Sequence, residues 1–125
     1  MLQSGRFLLW FCTAADRRVR DRATKGLVAI TQPKPILWAT LVRQFASVND
    51  EYVVERCLCA AYGTLLRTRD AEAERSVAAA VHEAVFADPL SFQNALIRDH
   101  ARCIIELAAH DGACDSYLRR NGLIE

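Results

Sequence analysis

Glycine and proline are scarce: five glycines and three prolines serve 125 residues. A loop-rich all-β domain needs many more of both for its turns, and an all-helical one does not. Long β-branched runs are missing while alanine is plentiful, which favours helix over strand. No apolar run approaches the ~18 residues of a membrane span. An excess of either charge is missing too, at 16 basic against 15 acidic residues and net +1. No global field therefore draws the chain to nucleic acid or to an anionic membrane. GxSxG, HExxH and glycine-rich phosphate loops do not occur. No catalytic residue and no cofactor is expected, and the expected class is not an enzyme.

Five cysteines, Cys12, Cys57, Cys59, Cys103 and Cys114, make an odd number without the spacing of a disulfide framework. They read as small buried hydrophobes in a reducing cytoplasm. Cys57 and Cys59 stand about 200° apart around a helix, which keeps them from sharing one metal. The C-x-x-C of a redox pair is absent. His100, Cys103, His110 and Cys114 are zinc-ligand types, but His110 lies ~15 Å along a helix from His100, and zinc ligands converge within ~2.3 Å of the metal. No metal is expected.

What is present is helical periodicity along nearly the whole chain. A helix over 2–14 carries Phe7, Leu8, Trp10 and Phe11. RFLLWFCTAAD (6–16) loosely resembles a secretory leader, but its single Arg and short apolar run favour a buried first helix. A helix over 17–30 follows, with Asp16 as its cap and Val19, Ala23, Leu27 and Ile30 on one face. TQPKP (31–35) stops it, and Pro35 suits the first turn of a helix to 47 with Leu37, Leu41, Val42 and Phe45 inward. Asn49 or Asp50 caps a helix over 51–68. A helix over 71–87 places Val77, Val81, Ala84 and Val85 on one stripe. Asp88-Pro89 opens a helix over 90–110 with Phe92, Leu96, Ile97, Ala101, Ile104, Ile105 and Ala108 inward. Asp111-Gly112 ends it, and a short helix over 114–121 stops at Asn121-Gly122.

These segments repeat. DRRVRDRATKGLVAI (16–30) aligns with NDEYVVERCLCAAYGTL (49–65): Asp16 over Asp50, Val19 over Val53, Asp21 over Glu55, Arg22 over Arg56 and Ala23 over Cys57. NALIRDHARCIIELA (94–108) follows with Ile97, Asp99, His100 and Ala101. The offsets are 34 and 44 residues. Aliphatic, any, acid, base, small is the shared pattern. It resembles the second helix of the HEAT repeat, which opens as Asp, two residues, Val-Arg, two residues, Ala, then Ala-Leu-Gly. Asp16, Val19, Arg20 and Ala23 carry that signature, and Asp50, Val53 and AAYG (60–63) carry it in the second copy. Val54 departs from it where Arg is expected, and the third copy lacks the opening Asp. RDHARCIIELAAHDG (98–112) is also similar to helical-repeat arms of large bacterial signal-transduction ATPases of the STAND class, although no phosphate-binding loop accompanies it.

The resemblance implies an all-α, right-handed α-solenoid of about three stacked hairpins in one domain, 1–125. The hairpins would span 2–30, 35–68 and 71–110, for six to seven helices. A central helix covered on both sides should be apolar nearly all round, as VVERCLCAAYGTLL (53–66) is. Gly63 falls where small residues allow close helix packing. Such stacks bind other proteins along their second helices. The expected function is a non-catalytic interaction or scaffold module with a protein partner. Arg20, Arg22, Glu55, Arg56, Arg98 and Asp99 are its candidate contacts, with Trp38 part-exposed at the core edge. The same charges would serve as Asp–Arg ladders between repeats. The apolar first helix suggests an uncovered end open to homodimerisation. Two rival classes are a nucleic-acid-binding helical-repeat module and a small helical enzyme or ligand-binding bundle. RRVRDRATK (17–25) could touch phosphates, but it holds no aromatic and is flanked and split by acids, so nucleic acid is not the expected partner. No membrane partner is expected.

Overall fold

In a computed structural model, the structure describes residues 17–47, 50–88, 92 and 94–122, without the side chains of residues 17, 20 and 113–119. The described residues form five α-helices and no strand. We number them α1 (Arg17–Thr31), α2 (Leu37–Ala46), α3 (Glu51–Thr68), α4 (Ala71–Val81) and α5 (Ala95–Arg120). A π-helical turn, His82–Phe86, continues α4.

Local chemistry sets the helix starts. Asp50 has extended backbone, and its Oδ1 accepts from the Tyr52 and Val53 amides at 3.0 and 3.4 Å. Asp70 does the same for Glu72 and Ala73. Asn94 does so for Leu96 and Ile97. Each side chain satisfies amides that have no partner inside the helix. Asn94 occupies the position of Asp50 in the repeat, so the third copy keeps the cap with an amide in place of the acid. Asp50→Ala and Asn94→Ala are each expected to cost about 1 kcal/mol of stability in urea unfolding. A cost within error of zero at both would show that packing alone sets these ends.

Three helix boundaries differ from the sequence reading. The helix expected over 90–110 starts at Ala95. It does not end at Asp111-Gly112, and no separate helix follows: α5 runs unbroken to Arg120. Gly112 sits inside it with nothing within 4 Å of where a Cβ would be, so the helix continues through it at the modest cost of a mid-helix glycine. Gly122 supplies the left-handed stop instead, at φ 69°. The described helices therefore number five against the six to seven expected. The helix expected over 2–14, and with it the apolar end proposed for homodimerisation, lies outside the described residues, as does Pro89.

The helices pack in two layers. α2 lies on α3, and α4 lies on α5; α3 also packs against both α1 and α5, and α2 against α4. α1, α3 and α5 thus make one layer, and α2 and α4 the other. Arg56 reaches Thr24, and Thr64 reaches Thr31 about two turns further on, so α1 and α3 run parallel. Asn94 meets Glu51 and Arg69 meets Asp111, so α3 and α5 run parallel too. These contacts join residues 32 or 33 apart and 42 or 43 apart, within two residues of the sequence offsets.

The central helix is covered as its composition requires. No residue from 53 to 65 is exposed, and Val53, Ala61, Thr64 and Leu65 have no solvent contact at all. The small-residue position of the repeat is buried in each copy, at Ala23, Cys57 and Ala101. Two residues expected inward are not: Val19 and Leu96 are exposed. Both stand near helix starts, where fewer neighbours reach them.

Candidate functional site

The expected charged contact residues stand on α1, α3 and α5, and Trp38 on α2. Trp38 is a correction: it is wholly buried, not part-exposed. Its indole Nε1 donates to Thr31 Oγ1 at 3.0 Å, and Thr31 donates to the Leu27 carbonyl at 2.8 Å. Thr64 Oγ1 lies 3.3 Å from Thr31 Oγ1, which ties α1, α2 and α3 at one buried point. An indole pointing at a buried hydroxyl satisfies the requirement that buried polar groups be paired.

The charged candidates serve several local roles. Arg56 is half-buried and donates from Nη2 to Thr24 at 3.4 Å, while its Nε is buried without a hydrogen-bond partner. Arg98 donates to the Phe92 carbonyl at 3.0 Å and lies 5.0 Å over the Phe86 ring, which pins the segment before α5. Asp99 pairs with Arg102 at 3.7 Å on an exposed helix face, a contact worth little in water. Glu55 is half-buried and Arg22 exposed, and the side chain of Arg20 lies outside the described residues. Apart from the Arg56–Thr24 bond, the bridges between successive helices of a layer stand elsewhere, at Arg43–Glu83, Asn94–Glu51 and Arg69–Asp111.

Between α1 and α3 runs an open groove of about 470 Å³. Val28, Ala29, Cys59, Ala60 and Gly63 contribute its apolar surface, and Lys25 and Arg67 its cations; among the described residues no acid lines it. Gly63 was expected to allow close helix packing. Instead, a Cβ at Gly63 would meet nothing within 4 Å, so its missing side chain opens the groove. The helix also settles the two thiols of the central segment, with Cys57 in the core and Cys59 lining the groove. Neither they nor Cys103 is disulfide-bonded. Among the described residues, no three His, Cys, Asp or Glu side chains converge as a metal site.

A second cluster carries the unusual electrostatics, and sequence reasoning missed it. The Glu74 side chain is fully buried, and neither oxygen meets a hydrogen-bond donor among the N–H and hydroxyl groups. It faces the Asp111 carboxylate, and a hydrogen bond between the two needs a proton on one of them. Arg69 decides which one. Its Nε and Nη2 grip Asp111 at 3.0 and 2.6 Å, and His110 Nδ1 lies 3.2 Å away. The Arg69 bonds, then the Glu74 bond, hold Asp111 well below the usual carboxylate range. Burial, then the bond and charge of Asp111, push Glu74 up to about 7. Glu74 is the proton donor and Asp111 the ionised acceptor. With its oxygens shut off from solvent, Glu74 is not placed to touch a substrate.

Comparison with known protein families, with characterised proteins and with solved structures returns no match. No helix among the described residues is long and apolar enough to cross a membrane.

Proposed function

We propose that this chain is a non-catalytic interaction module of the HEAT-like, stacked-hairpin kind. Its α1–α3 groove would seat an apolar segment of another protein that carries carboxylates. The groove itself carries the reading: it combines an apolar surface with Lys25 and Arg67, and no acid lines it among the described residues. The two-layer packing and the parallel run of α1, α3 and α5 support the stacked-hairpin part, because such stacks present their second helices as a continuous surface. A partner's apolar side chains would displace water from the groove, and its carboxylates would pair with the two cations and set its register.

Peptides selected from a random display library on the native chain provide the test. The selected peptides are expected to combine apolar side chains with Asp or Glu. Lys25→Glu with Arg67→Glu should weaken them at least ~10-fold, with a salt dependence that the double variant loses. Gly63→Leu separates binding from folding. Its Cβ meets nothing within 4 Å and the rest of the side chain enters the groove, and it should raise stability by ~0.5–1 kcal/mol by removing a mid-helix glycine. Binding should nonetheless be lost. Selected peptides that are basic, or that bind the Gly63→Leu chain as well as the native one, would refute the assignment.

A further inference from the structure

Independently of the groove, we propose that the Glu74–Asp111 carboxyl pair is a proton-operated latch, which clamps α4 and α5 to the α3–α4 turn while one proton is shared and loosens when that proton leaves. Three segments meet there. Arg69 and Asp70 come from the two-residue turn, Glu74 from the first turns of α4, and His110 and Asp111 from α5. Arg69 is held with φ 50° and ψ 39°, and its amide donates to the Leu65 carbonyl.

Each charged group facing Glu74 has a defined effect. Asp111 and Asp70 oppose its ionisation, and Arg69 alone favours it. Arg69 is already committed to Asp111 through two bonds. An ionised Glu74, itself buried, therefore lies beside an ionised Asp111 that is only slightly exposed, with little solvent to screen the pair, and repulsion falls on the contact between α4 and α5. With the proton in place the same contact is a hydrogen bond to a charged acceptor, among the stronger kinds available.

The sign follows from linkage. Glu74 binds its proton more tightly folded than unfolded. Its contribution is fully present below the unfolded value of 4.5 and is lost as pH rises through about 7. Asp111 acts oppositely: its contribution is present above its unfolded value of 3.8 and is lost as pH falls below that toward its depressed folded value. Stability should peak at mildly acidic pH and decline toward neutrality.

Carboxyl carbon NMR on the full chain with labelled glutamate reads the latch directly. The Glu74 resonance should inflect near pH 7. In urea, the folding equilibrium constant should fall roughly tenfold between about pH 6 and about pH 8. Glu74→Gln, whose amide donates to Asp111 at any pH, should remove that slope. Asp111→Asn removes the opposing charge, so the Glu74 inflection should move to lower pH by about one unit or more. Glu74 titrating at the ordinary value of 4.5 would overturn the latch, as would an unchanged slope in Glu74→Gln or an unmoved inflection in Asp111→Asn. The NMR titration of the native chain decides the matter even if a variant fails to fold.

Discussion

Trp38→Ala is expected to lose about 4 kcal/mol of folding stability, the range for emptying the site of a fully buried large aromatic. The side chain has no solvent exposure, so the loss combines transfer and cavity terms. It also removes the donor to Thr31 at the junction of α1, α2 and α3. For a domain with a total stability of roughly 5–15 kcal/mol, that is a large fraction. Trp38→Phe separates the parts. It keeps an aromatic ring in the site but removes the N–H together with part of the bicyclic ring, so about 1–2 kcal/mol should be lost. A double-mutant cycle with Thr31→Val should return a coupling of about 1 kcal/mol. Urea unfolding reads all three. A cost below about 2 kcal/mol for Trp38→Ala would mean that the site collapses around the gap. A change in partner binding on altering Trp38 then reports folding, not a lost contact.

Arg69→Ala should cost about 2 kcal/mol, because it strands the Asp111 carboxylate against a buried carboxyl. The figure stays modest because half of the Arg69 side chain is exposed and water screens part of the pair. The backbone strain does not add to it, since at φ 50° arginine and alanine carry the same left-handed cost. Arg69→Gly isolates this strain: it deletes the same charge but should recover about 1 kcal/mol relative to alanine. In either variant Asp111 should titrate closer to an ordinary aspartate, having lost its chief stabilising partner. Equal stability for the alanine and glycine variants would show that the left-handed turn carries no strain.

These two sites show where sequence reasoning succeeds and where it stops. The helical class followed from composition and from the three- and four-residue spacing of apolar side chains, which are local properties. The buried character of 53–65 followed because a helix covered on two sides has no face to leave polar. The small-residue repeat at Ala23, Cys57 and Ala101 was legible, because close packing there excludes larger side chains. Asn94 was missed as a cap only because the pattern sought an acid, although an amide oxygen accepts the same two bonds.

Other features were not local. An Asp-Gly pair marks a common helix end, yet α5 passes through Gly112 to Arg120, with Asp111 inside it held by Arg69 from the α3–α4 turn. Gly63 is a small residue in a helix either as a packing contact or as a groove, and only the separation of α1 and α3 decides between them. Trp38 lies on the same stripe whether its ring turns outward or toward Thr31, and the hydroxyl seven residues away settled that.

The sequence by itself determined that this chain is helical, where most helices lie, and which segment sits at the centre. Propensity, capping and periodicity act over a few residues and can be read in order. Only the tertiary structure decided that Glu74 is buried, that it faces Asp111 across 37 positions, and that Arg69 bonds to one acid of the two. A carboxylate's protonation depends on what surrounds it in space, and no local pattern of residues encodes that.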